Sequence, residues 1–386
     1  MEKIFYEDTR ILNFEATVLE CHKEEKNRGY WIVLDRTAFF PEEGGQAADN
    51  GTLNNLPLLD AQIKNDVIYH LVEQPLEIGS SVKGQVDWER RFDFMQQHSG
   101  EHILSGLIHT LYGYNNVGFH LGLTEVTMDF DGYLSLEQLR ELEKNANQII
   151  WRNLPVHAYF PTPEELELLN YRSKIELSNN VRIVEIPGVD VCACCAPHVN
   201  FTGEVGMLKV VGAQSHRGGV RINILCGNRA LADYTAKQDA STAISVLLSA
   251  KPEKIVEAVK KVQEDSLQLK VTANQLANSL LQQQVASLPD TDTCQNPLLF
   301  VELSNTLAIR NTVNELTEKY NGYCGIFTGT EEAGYSFIIG SSSLDCREVA
   351  TALRTQLGAK GGGTAPMIQG SITATKAQLE DFWKSL

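Results

Sequence analysis

Three histidines and a cysteine have the types and spacings to hold one metal ion. His98 and His102 lie four residues apart in His98-Ser99-Gly100-Glu101-His102. On a helix, residues at i and i+4 stand one above the other on one face, so both imidazoles reach a common point. Far downstream, Cys194-Cys195-Ala196-Pro197-His198 offers a thiol and a third imidazole at the same spacing. Pro197 argues against a helix interior, so this pair is expected on a loop or tight turn. Zinc takes nitrogen and sulfur donors in a tetrahedron, and the two halves together complete a His/His/Cys/His set. Cys192 and Cys195 leave more than one sulfur in play; spacing favours Cys194.

Other readings compete. His-x-x-Glu-His is a metallopeptidase signature, with Glu101 as base and a distant Glu as third ligand. Under it, Cys194 and His198 have no role. The CxxC formed by Cys192 and Cys195 lacks the second CxxC that a zinc ribbon needs. The eight cysteines are otherwise scattered, which is metal or reactive-thiol usage rather than a disulfide framework.

The elements that must position these residues follow from pattern. Residues 1–88 read as a small β-barrel or twisted sheet, with strand-like runs at Thr17–Leu19, Trp31–Leu34 and Val67–Val72 between turn signals. Phe92, Met95, His98, His102 and Gly106 recur at helical spacing and predict a helix from about Trp88 to Leu111. Strands around Val117–Leu121 and Glu125–Phe130 follow. Ser135 with acidic residues behind it opens a helix to about Trp151. The region 89–232 is thus a mixed α/β unit.

A helical segment occupies 233–290, with a long helix beginning near Pro252. Ile255, Val259, Val262, Ser266, Leu269, Ala273, Leu276 and Leu280 alternate steps of four and three, as in a coiled coil. That stripe either packs on its own domain or pairs with a second copy. Region 291–386 is a C-terminal α/β domain ending in a Gly-rich loop at Gly358–Gly363. No Lys-Ser/Thr pair follows that loop, so it is not a phosphate-binding Walker loop. The fold class is α+β.

With 386 residues, 43% hydrophobic and 21% charged, the chain can bury two or three cores. It has no signal-peptide pattern at Met1–Asp8 and no apolar run of membrane length, so a cytoplasmic protein without a membrane partner is expected. The net charge of −16 argues against a broadly basic nucleic-acid surface, though not against a local patch.

Thr37-Ala38-Phe39-Phe40-Pro41-Glu42-Glu43-Gly44-Gly45-Gln46, with Asp49 and Gly51, resembles the glycine-rich motif of free-standing alanyl-tRNA editing proteins and of the editing domain of alanyl-tRNA synthetases. His98/His102 and Cys194/His198 resemble that family's paired metal motifs, in the same order. Gly118–Gly122, Thr202–Gly206 and Gly219–Ile222 are similar to further family segments. The resemblance is strong over residues 10–230. It is fainter beyond, where the chain looks like the long helix and C-terminal domain of alanyl-tRNA synthetases, as in the long subclass of editing proteins. Glu101 departs from the family's small or polar residue, and Cys195-Ala196-Pro197 from its Gly-Gly-Thr.

The resemblance implies a zinc-dependent aminoacyl-tRNA deacylase that removes serine, and glycine as a second substrate, from mischarged tRNA(Ala). One zinc ion per chain would be held by His98, His102, Cys194 and His198. Gln46, Thr37, Gly44 and Gly45 are the candidate catalytic residues; Thr37, Phe119 and His120 are the candidate substrate contacts. Four protein ligands leave no open position, so either one ligand lets go, the coordination expands, or the ion chiefly organises the pocket. A homodimer through the helical segment and C-terminal domain is expected. A non-catalytic tRNA-binding relative is the remaining alternative.

Overall fold

Alternation builds the first sheet. In Ser81–Val86 every second residue is buried, with Val82, Gly84 and Val86 turned inward, as a half-buried strand requires. The computed structural model describes residues 1–24, 29–173, 181–302 and 305–386. These divide into two compact units, Met1–Thr242 and Ala243–Leu386.

The first unit opens with a seven-stranded antiparallel sheet. Its spatial order is Leu56–Pro57, Gly51–Leu53, Ser81–Val86, Asn13–Lys23, Tyr30–Leu34, Val67–Val72, Asp60–Lys64. The long strand Asn13–Lys23 pairs with Ser81–Val86 through its first half and with Tyr30–Leu34 through its second, with a register shift between Val18 and Glu20. Such an extra residue bends a strand. The sheet curls over Ile32, Leu34, Phe39, Phe40, Leu53 and Ile68. Its edge strands do not pair with each other, so the expected small barrel is an open half-barrel. The short edge Leu56–Pro57 ends the ladder there, since Pro57 has no N–H to donate.

Helix α1 (Trp88–Tyr112) starts where Asp87 accepts the Arg90 N–H and stops where Gly113 turns left-handed at φ 71°. It is tied to the half-barrel by Arg91, which is fully buried and bonds the Asp49 carboxylate and the carbonyls of Thr9 and Ala38. Asp49 also accepts the Phe40 N–H at 2.7 Å. The helix carrying the first histidine pair and the glycine-rich segment are therefore clamped together.

A four-stranded antiparallel sheet follows, ordered Asn116–Leu121, Val126–Phe130, Gly219–Cys226, Leu208–His216. It shares one core with α1 and α2 (Leu136–Trp151). Ser135 caps α2 in a reciprocal pair with Gln138. A short helix α3 (Pro163–Leu168) leads toward a three-stranded sheet of His157–Tyr159, Ile183–Ile186 and Asp190–Ala193. A Cβ at Gly106 would lie 2.4 Å from the Val189 carbonyl oxygen. Glycine there lets α1 sit directly on the strand that carries Asp190 and leads to Cys194. Helix α4 (Gly227–Leu247) closes the unit and runs into the second.

The second unit takes in the end of α4 from Ala243, a helical turn at Pro252–Lys254 and then α5 (Ile255–Ala286). Leu281 is the one buried residue of α5. Along the coiled-coil stripe, Val262 is 54% exposed, Leu269 70%, Leu276 62% and Leu280 61%. A five-stranded sheet follows, ordered Leu298–Val301, Cys324–Thr330, Gly334–Gly340, Met367–Ile372, Lys360–Thr364. Helices α6 (Thr306–Lys319), α7 (Cys346–Leu357) and α8 (Lys376–Lys384) complete the unit. The segment read as a Gly-rich loop is in part a strand. Gly358 ends α7 in the left-handed region, and Lys360–Thr364 then pairs antiparallel with Met367–Ile372. Polar composition masks this edge strand, because its pattern has no apolar alternation.

No helix among the described residues is long and apolar enough to cross a membrane.

Candidate metal centre

Helix α1 presents His98 and His102 from one buried face, and the loop after strand Asp190–Ala193 brings Cys194 and His198 to meet them. The ligand atoms of all four lie within 4.8 Å of one another. The Cys194 Sγ is 3.5 Å from His98 Nε2 and 3.3 Å from His198 Nε2. Two ligands of a tetrahedral zinc, one sulfur and one nitrogen, stand about 3.5 Å apart. The donor set and its spacing therefore fit that ion.

Each imidazole is oriented from behind. His98 Nδ1 donates to Gln46 Oε1 at 2.8 Å and His102 Nδ1 to Asp190 Oδ2 at 2.9 Å, while His198 Nδ1 shares a hydrogen bond with Ser99 Oγ at 3.0 Å. Protonation at Nδ1 leaves every Nε2 lone pair for a metal. Asp190 is held in turn by Arg172, whose Nε and Nη2 donate to its two oxygens at 2.7 and 2.9 Å. The cluster His102, Asp190 and Cys192 is thus the outer layer of the same centre.

The electrostatics suit a thiolate ligand. Burial opposes ionisation of Cys194, but His98, His198 and the hydrogen bond from His102 together pull its pKa well below the usual thiol range. Burial pushes Cys192 up to about 11 and also raises Cys195. Of the three clustered sulfurs, Cys194 is the one the surroundings ionise. Burial drives His198 down to about 3. His102 is penalised by burial too, yet its bonds to Asp190 and Cys194 raise its pKa overall.

A cavity of about 810 Å³ opens over the cluster, lined in part by His98, His102, Cys194, Gly44, Gly45 and Phe119. Gly44 and Gly45 have φ of 64° and 82°. A Cβ at Gly45 would lie 2.6 Å from the Phe119 carbonyl oxygen, and its own carbonyl accepts the Leu121 N–H at 2.9 Å. The Gly-Gly turn is therefore pressed against the strand that carries Phe119, which packs its ring 4.8 Å from that of His98. Gln46 follows immediately, 1% exposed, with no hydrogen-bond partner for its Nε2 among the described residues.

Thr37 and His120 do not line this cavity. Thr37 is fully buried, donates its hydroxyl to His70 Nε2 at 2.8 Å and accepts the Phe39 N–H at 3.1 Å. His70 Nδ1 donates to the Ile32 carbonyl, and burial lowers its pKa to about 4, so the ring is a neutral acceptor toward Thr37. Glu101 is fully buried and accepts from Ser105 Oγ at 2.7 Å and Asn116 Nδ2 at 2.6 Å. The peptidase reading of Glu101 has no place for Cys194 and His198, which the fold brings to the same point as the histidine pair.

Sequence reasoning missed Ser99, Asp190 and Arg172. Ser99 sits beside His98 in the motif. Asp190 and Arg172 carry no motif and become partners only through the three-stranded sheet.

Two family models match the chain. Residues 2–90 match tRNA synthetases class II (A), and residues 181–223 match the threonyl and alanyl tRNA synthetase second additional domain. Cys194 and His198 fall inside the second match. The chain is 32% identical over 292 residues to the alanine–tRNA ligase of Ignicoccus hospitalis, covering 72% of this chain and 32% of that protein. It therefore spans about a third of the ligase. It is 32% identical over 272 residues to the alanyl-tRNA editing protein Aarsd1 of Rattus norvegicus, covering 66% of each chain. With the Mus musculus Aarsd1 the identity is 27% over 389 residues, covering 97% of this chain and 94% of that protein.

Proposed function

The chain belongs to the alanyl-tRNA editing protein family, and on that premise we propose that it hydrolyses the aminoacyl ester of mischarged tRNA(Ala). Ser-tRNA(Ala) is the principal substrate and Gly-tRNA(Ala) the second. The need is chemical. A small apolar pocket rejects an added hydroxyl by only about 100-fold, so an alanine-activating site lets serine through. A second site that hydrogen-bonds the hydroxyl can discriminate by about 10⁴-fold or more.

One observation carries the reading: three back-bonded imidazoles and one thiol converge at zinc spacing beneath a cavity walled by the Gly-Gly turn. Bound there, zinc supplies Lewis acidity toward the aminoacyl carbonyl. The protein's own groups do the rest. Gln46 Oε1 fixes the His98 tautomer, and the buried Gln46 Nε2 is the donor proposed for attacking water or the ester carbonyl. Gly44 and Gly45 let backbone and substrate approach closely, and Phe119 closes the wall beside His98. His120 belongs to the same strand as Phe119 and is assigned to the substrate contacts by resemblance. Thr37 is assigned to selectivity for serine; its hydroxyl, held by His70, acts by shaping the segment that leads into the Gly-Gly turn.

The exposed α5 stripe supports pairing with a second copy. The proposed compartment is the cytoplasm, where charged tRNA is.

The test is deacylation of Ser-, Gly- and Ala-tRNA(Ala) by the purified protein, with and without a chelator. Loss of serine with alanine spared, stopped by the chelator and restored by zinc, is the expected result. Stoichiometric tRNA binding without turnover by the zinc-loaded protein would overturn it.

A further inference from the structure

The wall of the cavity carries a buried guanidinium whose donors are only partly used by the Cys194 loop. Arg182 is 6% exposed and lines the cavity. Its Nη1 donates to the carbonyls of Cys194 at 3.1 Å and Ala196 at 2.9 Å. Arg91, buried, and Arg172, partly buried, each pair with an aspartate. Among the described residues Arg182 has no carboxylate partner. A guanidinium has five donors in a fixed fork, and a buried one is normally neutralised. Here the remaining donors belong to a site that a ligand anion can reach.

An aromatic pair stands beside it. The Arg182 guanidinium carbon lies 4.9 Å from the centroid of the Tyr6 ring, and Tyr6 meets Phe160 edge to face at 5.4 Å. Both rings line the same cavity, and Phe160 is 52% exposed. A cation for the backbone and an open ring for the base is how proteins hold single-stranded nucleic acid. A free carboxylate or inorganic anion would use the cation but leave the ring without purpose.

We propose that Arg182 binds the phosphodiester just 5′ of the terminal nucleoside and that Phe160 stacks on the terminal base, so that this wall seats the 3′ end of the RNA. The inference rests on the deacylase reading and names the part of the substrate that this wall holds. It also places one desolvated phosphate contact on a chain of net charge −16.

The experiment compares two seryl esters, one of adenosine and one of the trinucleotide CCA, on zinc-loaded wild type, Phe160→Ala and Arg182→Gln. Zinc content of each variant is measured alongside. Phe160→Ala is expected to raise KM for both esters by about tenfold, the scale of one base–aromatic stack. Arg182→Gln is expected to lower kcat/KM for the CCA ester by roughly 10–100-fold more than for the adenosine ester, which has no phosphate, the scale of a charged hydrogen bond. Equal loss on both esters with Arg182→Gln would mean that Arg182 only supports the Cys194 loop, and the phosphate contact falls. An unchanged KM with Phe160→Ala removes the stacking contact. Wild type that hydrolyses neither ester defeats the deacylase reading itself, a separate failure.

Discussion

The metal cluster and helix α5 are opposites. In the cluster every ligand imidazole is buried and each has a partner behind it, Gln46, Asp190 or Ser99. Along α5 the apolar stripe of Val262, Leu269, Leu276 and Leu280 stands in water. Buried polar groups must be satisfied where they are, so the chemistry is complete within one chain. An exposed apolar stripe is satisfied only by association. Chemistry and assembly should therefore be separable by mutation.

The largest effect should come from the cluster itself. Cys194→Ala is expected to lower seryl-tRNA(Ala) hydrolysis by about a thousandfold or more and to empty the protein of zinc, while its sedimentation stays that of wild type. A variant that keeps its zinc would pass the sulfur ligand to Cys192 or Cys195. Next, Arg91→Met strands the buried Asp49 carboxylate. Urea titration should register about 3–5 kcal/mol of lost stability, and a loss below 1 kcal/mol, about the worth of a surface ion pair, would mean that the clamp between α1 and the half-barrel is dispensable. Asp190→Asn keeps the shape but weakens the orientation of His102. Zinc affinity, read by competition with a chromogenic chelator, should fall about 10–100-fold; unchanged affinity would demote Asp190 to a structural partner of Arg172. The double change Leu269→Glu with Leu276→Glu should convert a dimer to a monomer in light scattering without altering hydrolysis of a short seryl-CCA ester. Coupled loss of both would break the separation drawn above. The smallest effect is expected from Thr37→Val, which leaves the His70 acceptor unsatisfied at a cost of about 1–3 kcal/mol. Serine-over-alanine preference should shrink; a stable variant of unchanged preference would confine Thr37 to packing.

Much of this was legible from local pattern. The strand Val67–Val72 and the helix from Trp88 follow from β-branched runs and helical periodicity. The spacing of His98 with His102 and of Cys194 with His198 marks two half-sites, because each half is local. What joins and tunes them is not local. Asp190 meets His102 and His198 meets Ser99 only after a sheet and a helix have packed, across 88 and 99 residues of chain. The pattern of residues 1–88 allows a small barrel or a twisted sheet because strand patterns do not say whether the outer strands meet. The edge strand Lys360–Thr364 was read as loop because glycines leave no alternation to see.

The ligand pairs also carry a consequence for the order of synthesis. Gln46 waits 52 residues for His98, and His98 waits 96 for Cys194. Closing such long loops is slow and costs chain entropy before any contact repays it. A ribosome making this protein releases the first histidine pair long before the thiol exists. On the zinc reading proposed above, metal loading is a late step, which follows emergence of His198. Zinc held tightly by nascent chains arrested before His198 would contradict that sequence of events.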